Sequence, residues 1–364
     1  MLLEEYQPRS ELVVPRTEIR GPACPVVDFH GHYGALYSDA WREMGSPTID
    51  IHRCVEEARA SGIVKAVNLD GFFEGFRGFS MERFYEAMEL YPDFFIPFVS
   101  VNTELVGSPG FEPETRRHLV SARARGVRGI KIFKVVTLGE RDGSGLFRPA
   151  RGLPIDDPRL GVIWETAAEL GMPVLVHIGD PRAFFRPVDA RNERYEELVQ
   201  HPEWQYAGPG LYAFEELLDM QERLLAANPR TSFVIPHGGS WPENLAWVDG
   251  ALGRHPNMSI DISERIAEFG RAPYSARAFF IKHQDRILFG TDAWPGGMAR
   301  RYEPYFRFLE TFDEYFDHGP YNTRWKIYGI GLPAPALEKI YRLNAERLLA
   351  PGASPADQVR RDSI

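Results

Sequence analysis

Cysteine is nearly absent: Cys24 and Cys54 are the only two thiols in 364 residues. Two cysteines cannot build a disulfide framework, so a reducing compartment, the cytoplasm, is the expected location. Long apolar runs are missing too, and no stretch approaches the roughly 18–20 residues that would span a bilayer. The start, Met1-Leu2-Leu3-Glu4-Glu5-Tyr6, is acidic where a secretion signal would be basic and then apolar. Basic charge is in deficit, with 42 Lys and Arg against 51 Asp and Glu for a net −9, which argues against a nucleic-acid partner. The sequence contains no internal repeat and no low-complexity tract. These absences leave a small-molecule protein, with homo-oligomerisation left open.

What is present is a large core. Hydrophobic residues make up 44% of the chain, and strand-like and helix-like stretches alternate from end to end. Strands are predicted at Val26–His30, Val64–Leu69, Phe94–Val101, Gly129–Val135, Met172–Val176, Ser232–Pro236, Met258–Ile262 and Arg286–Thr291. Helices follow near Ile49–Ser61, Met81–Tyr91, Pro113–Arg125, Arg159–Leu170, Tyr212–Ala227, Glu243–Arg254, Tyr274–His283 and Tyr302–Phe316, with a closing helix at Ala334–Leu349. Gly126, Gly171 and the pair Asn228-Pro229 mark helix ends, and Pro242 reads as a first-turn proline. Eight such units predict an α/β fold, a (β/α)8 TIM barrel over 25–350, between an arm at 1–24 and a polar tail at 351–364. Two connections, Thr137–Pro158 after strand four and Ile178–Leu211 after strand five, are long enough to be lids or specificity elements.

Chemistry-bearing residues stand at the strand ends. His30 and His32 flank Gly31 directly after the first strand, and residues two apart on a strand share a face. His177 ends strand five, His237 strand six and Asp292 strand eight, each where a loop begins. Taken singly, such a His is ordinarily a hydrogen-bonded structural residue and such an Asp a turn former. Together they predict a metal site, because polar groups at the C-terminal ends of barrel strands meet at one mouth. The remaining histidines, His52, His118, His201, His255, His283 and His318, lie on helix-like or loop stretches and are expected at the surface. Cys24, near the candidate site but without an adjacent base, is read as an inert thiol.

The second long loop holds Arg182, Phe184, Phe185, Arg186, Arg191, Arg194, Trp204 and Tyr206. That mixture suits a substrate with a ring and an anionic group, and equally a flap whose aromatics pack on the rim. Lys131 and Phe133 share one face of strand four, with Ile130, Ile132 and Lys134 on the other. Phe72, Phe73 and Phe76 could line a pocket or a subunit contact.

This set of strand-end residues resembles the amidohydrolase superfamily, in particular the amidohydrolase-related branch that contains hydrolases and aminocarboxymuconate semialdehyde decarboxylase. The resemblance spans Pro25 to Leu349. It implies that His30, His32, His177 and Asp292 bind a divalent metal, with His237 beside it. Some decarboxylases of the branch carry Glu-x-His where this chain has His-x-His, so both reaction types stay open. A lysine on strand four bridges two metals in some members. Here a mononuclear site is expected, with Lys131 as a partner for an acid or a substrate carboxylate.

Three imidazoles and a carboxylate favour zinc first and manganese second. The expected reaction is hydrolysis of a carboxylic amide, ester or lactone, with Asp292 taking the proton of a water and His237 polarising the carbonyl or protonating the leaving group. Nonoxidative decarboxylation of an aromatic or muconate-like acid is the first alternative, with Arg265 available to hold an anionic group unless Glu264 or Glu268 pairs with it. A barrel that binds without turnover is a second alternative. A serine hydrolase at Ser240 is disfavoured, since His237-Gly238-Gly239-Ser240 lacks a nucleophile elbow.

Overall fold

The computed structural model describes residues 9–38, 49–141, 147–319 and 325–350. Eight parallel strands follow one another around a ring: β1 (Val26–Gly31), β2 (Ile63–Gly71), β3 (Phe95–Val99), β4 (Gly129–Ile132), β5 (Val174–Val176), β6 (Phe233–Ile235), β7 (Met258–Asp261) and β8 (Ile287–Leu288). The ring closes through Phe29 N donating to Phe289 O at 2.8 Å, Asp292 N to His30 O at 2.9 Å and His32 N to Ala293 O at 2.8 Å. The predicted (β/α)8 barrel is the observed fold.

Alternation on the strands builds two layers. Val27, Phe29, Val67, Leu69, Phe98, Leu175, Val234 and Leu288 pack together as the barrel interior. Their neighbours Val26, Ala66, Ile130, Ile132, Val174, Phe233, Ile235 and Ile260 join the larger core under the helices. Strands buried on both faces carry continuous apolar runs for this reason.

Helices run between the strands, including Ile51–Ala60, Met81–Glu89, Phe111–Ala124, Gly161–Leu170, Phe214–Ala227, Leu245–Arg254 and Pro273–Lys282. Gly171 ends the fourth of these in a left-handed conformation at φ 60°, as its sequence position predicts. Pro242 does not begin the next helix but one: Asn244 caps it by accepting from Trp247 N at 3.2 Å, and the helix starts at Leu245. The helix expected at Tyr302–Phe316 runs instead from Met298 to Glu310, entered through Gly297 at φ 68° and stopped by the extended backbone of Thr311.

Strand eight is shorter than predicted because the closing helix competes for its backbone. A π-turn at Lys339–Leu343 interrupts that helix, and Ile340 O accepts from Phe289 N at 2.9 Å. Asn344 Nδ2 donates to the carbonyls of Gln284 and Ile287, both at 2.7 Å, while Ala345 and Leu348 plug the interior layer. The described part of the arm is irregular and tied down: Thr17 Oγ1 donates to Asp313 Oδ1 at 2.6 Å and Ala23 N to Glu310 Oε1 at 3.0 Å. The expected tail at 351–364 lies outside the described residues. No helix among the described residues is long and apolar enough to cross a membrane.

Candidate metal centre

The C-terminal ends of the strands converge at one mouth. Asp292, beyond β8, places Oδ1 3.1 Å from His32 Nε2 and 3.6 Å from His30 Nε2. The rings of His30 and His237 are 5.0 Å apart, and those of His237 and His177 4.3 Å. One donor atom each from His30, His237 and Asp292 falls within 4.8 Å of the others. His32 joins this group through Asp292, and His177 stands next to His237. Neither belongs to the 4.8 Å set itself.

His30 turns toward the mouth through an irregularity. Phe29 lies in the barrel interior, so strict alternation would point His30 outward. The pairing of β1 with β2 breaks register between Asp28 and Gly31, which lets successive side chains face the same space. Asp28 anchors the break, accepting from Thr291 Oγ1 at 2.6 Å and Tyr302 Oη at 2.9 Å. His237 and Asp292 both adopt left-handed backbone, at φ 57° and 60°. Such conformations cost about 1–3 kcal/mol each and persist where surrounding bonds over-determine them.

Behind three of the imidazoles stands an acceptor that the sequence reading missed. His30 Nδ1 lies 2.8 Å from Asp261 Oδ2 and His32 Nδ1 2.7 Å from Asp70 Oδ1. His237 Nδ1 lies 3.0 Å from Ser263 O. Asp261 also accepts from His237 N at 3.0 Å and Ser263 N at 3.0 Å, so one carboxylate fixes the His30 ring, the His237 backbone and a turn. Asp70 is the last residue but one of β2 and Asp261 the last of β7, so the strand-end rule that found His177 could have found both.

This wiring fits a cation. With Nδ1 hydrogens directed at acceptors, the Nε2 atoms of His30, His32 and His237 face one another and a carboxylate, free to serve a cation once His32 gives up its second proton. His237 Nε2 and His177 Nε2 are buried without a hydrogen-bond partner among the described residues. His177 Nε2 is 3.4 Å from Asp180 Oδ1 but out of hydrogen-bonding alignment. Burial works against charge at His32, yet the carboxylates of Asp70 and Asp292 push it up to about 9. Burial alone would raise Asp292; the facing His30 and His32 instead hold it well below the usual carboxylate range. Burial pushes His177 down to about 4 and His237 well below its ordinary value.

A cavity of about 160 Å³ adjoins these groups, lined by Lys134, Asp180, Phe184, Arg265 and Arg300 among others. Lys134 reaches it although strand parity put it on the far face, because β4 ends at Ile132 and the chain turns. Lys134 Nζ is 2.7 Å from Asp180 Oδ2. Arg265 donates to the Glu264 backbone carbonyl at 2.8 Å and lies 3.7 Å from Asp180, and its charge also helps to hold Glu268 below its ordinary value. Arg194 lines the cavity but is held by Glu197 and Glu268.

Two residues expected near the substrate lie elsewhere. Arg191 is exposed, and Phe185 packs on Tyr206 and Phe214 at 5.1 and 5.3 Å. Phe184 does line the cavity. Of the histidines expected at the surface, His255 is buried against Glu222 at 2.8 Å, and His118, His201, His283 and His318 are half-buried, the last lining the cavity. Lys131 is buried beneath the mouth, and Cys24 and Cys54 are free thiols.

Residues 27–350 match the family model described as Amidohydrolase. No curated protein matches the sequence. Among solved structures, the fold is similar to an uncharacterized TIM-barrel protein of Bordetella bronchiseptica, at 20% identity over 89% of this chain and 98% of that one, TM-score 0.55. It is also similar to 2,6-dihydroxybenzoate decarboxylase bound to 2,6-dihydroxybenzoate, at 20% identity over 90% and 98%, TM-score 0.53. A third is the 5-carboxyvanillate decarboxylase of Novosphingobium aromaticivorans with bound manganese, at 12% identity over 90% and 97%, TM-score 0.53. At these identities the likeness is one of fold.

Proposed function

Because this chain belongs to the amidohydrolase family, we propose that it is a metal-dependent enzyme that hydrolyses an amide, ester or lactone bond of a small anionic molecule. His30, His32, His177 and Asp292 would hold the ion, zinc first and manganese second, with His237 within reach of the same point. A divalent cation there supplies Lewis acidity and brings the pKa of water toward neutrality.

The observation that carries hydrolysis is the open lone pair of His237. Hydrolysis needs a group that takes a proton from water. Ser263 O stands 3.0 Å from Nδ1 and accepts its hydrogen, so the buried Nε2 is the acceptor end of the ring. Asp292 is held in its charged form by His30 and His32, which suits it to balance the charge of an ion, while burial keeps the His237 ring neutral and its lone pair open. We therefore assign proton acceptance to His237 and charge compensation to Asp292, the reverse of the sequence expectation. Among the described residues, five cations (Lys134, Arg194, Arg265, Arg300 and Arg301) line the cavity against four carboxylates (Asp180, Glu197, Glu264 and Asp292), and a divalent ion would add to the positive side, which favours a negatively charged substrate.

Nonoxidative decarboxylation is the second reading, supported by two structures of this fold that are decarboxylases by name. Incubation with N-acyl amino acids, lactones and substituted benzoic acids separates the two. Release of amine or alcohol supports hydrolysis, and release of carbon dioxide replaces it with the second reading. Undiminished turnover after chelation, with no transition metal found by elemental analysis, would overturn both.

A further inference from the structure

A second and larger cavity, about 390 Å³, opens at the same end of the barrel on its β2–β4 side. Phe72, Phe73 and Phe76, which follow β2, line it with Phe133, Val136 and Leu153, which follow β4. The rings form a stack. Phe133 lies on Phe72 at 5.2 Å and 20°, and Phe72 on Phe76 at 4.8 Å and 26°. Phe133 also stands 6.2 Å from the His32 ring, so this apolar wall runs up to the candidate metal centre.

Lys131 is the only cation among the described residues lining this cavity. Its side chain is 1% exposed, and Nζ has no hydrogen-bond partner among the described residues. Asp292, Asp261 and Asp70 favour its charge through space, and Phe133 offers its ring at 5.2 Å from Nζ. None of these satisfies the three donors of an ammonium. A buried, unpaired cation is costly and is retained where a ligand completes it. At about 390 Å³ this cavity lies within the usual range for small-molecule pockets.

We propose that this cavity seats the ring of an aromatic carboxylic acid, whose carboxylate pairs with the Lys131 ammonium while the bond to be broken is carried toward His237 and Asp292. The second half of that statement rests on the enzymatic reading above; the ring seat itself does not. The carboxylate at Lys131 is an anchor and leaves unchanged. The substrate class is therefore an aromatic acid bearing a separate reactive group.

The test uses metal-stripped full-length protein and calorimetric titration with benzoate, its neutral isostere benzamide, and acetate. Benzoate is expected to bind at least tenfold more tightly than either of the others. In Lys131→Met the preference for benzoate over benzamide should collapse to within twofold, with benzamide affinity retained as the sign of an intact ring seat. Acetate binding as tightly as benzoate would remove the ring from the argument. Equal wild-type affinities for benzoate and benzamide would overturn the role of Lys131 without recourse to any variant, as would an undiminished preference in Lys131→Met. Neither metal nor turnover enters these measurements. An inactive enzyme thus leaves the seat standing, and failure of ring binding leaves the enzymatic reading standing.

Discussion

At His30 and His32 the Nδ1 atoms are committed to Asp261 and Asp70, at 2.8 and 2.7 Å, and that commitment decides where the Nε2 lone pairs point. Such backing carboxylates raise ligand basicity and fix the tautomer. Asp70→Asn is expected to lower metal affinity by about 10–100-fold, measured by competition with a chromogenic chelator. An affinity within twofold of wild type would remove Asp70 from the site. Lys131 gives a second prediction at this scale. Burial holds it down to about 8, below its ordinary 10.5, against the opposing pull of Asp292, Asp261 and Asp70. Between those two values the unfolded chain binds more protons than the folded one, so stability rises with pH across that window. The cost is fully present below pH 8 and amounts to about 3 kcal/mol. Urea unfolding of metal-stripped protein at pH 7 and pH 10 should show this gain in wild type and its loss in Lys131→Met. Parallel pH responses would refute it.

Strand ends are where an element hands its side chains to the site, and there the backbone has little slack. Gly71 closes β2 immediately after Asp70, and a Cβ on it would stand 2.2 Å from Phe98 O, a backbone atom that cannot move aside. Gly71→Ala is expected to cost about 1–3 kcal/mol by overpacking and to shift Asp70, so melting temperature and metal affinity should fall together. Unchanged affinity in a destabilised variant would separate the two. The existence and order of these elements were legible in the sequence, because runs such as Val174-Leu175-Val176 are buried on both faces and say so in their composition. Their ends were not. β8 stops at Leu288 because Ile340 O takes Phe289 N, and the 245–254 helix starts late because Asn244, two residues past Pro242, supplies the cap.

Across the whole molecule, the loop after β5 is fastened to the turn after β7. Arg194 pairs with Glu197 on its own loop and with Glu268, whose side chain is fully buried. Burial would raise Glu268, but Arg194 holds it below the usual range, so the pair is ionised. Removing one partner of a buried ion pair costs about 3–5 kcal/mol because the other charge is left uncompensated. Arg194→Ala should therefore lower the melting temperature and expose the 186–211 stretch to limited proteolysis. Retained protease resistance would show that the flap is held by Phe184, Phe185 and Tyr206 packing alone. The sequence placed Arg194 among candidate substrate contacts; its partner lies 74 residues away, on another element, and only the fold joins them.

The strand–helix alternation, the placement of His30, His32, His177, His237 and Asp292 at strand ends, and the barrel that brings such ends together followed from the order of residues, since burial and local periodicity are written along the chain. The tertiary structure alone decided which donors stand within 4.8 Å, which carboxylates back each imidazole, and that Lys131 faces an aromatic cavity while Arg191 and Phe185 do not reach the mouth. Those outcomes depend on register breaks, left-handed turns and contacts between residues far apart in the chain. A one-dimensional pattern carries no distance between them.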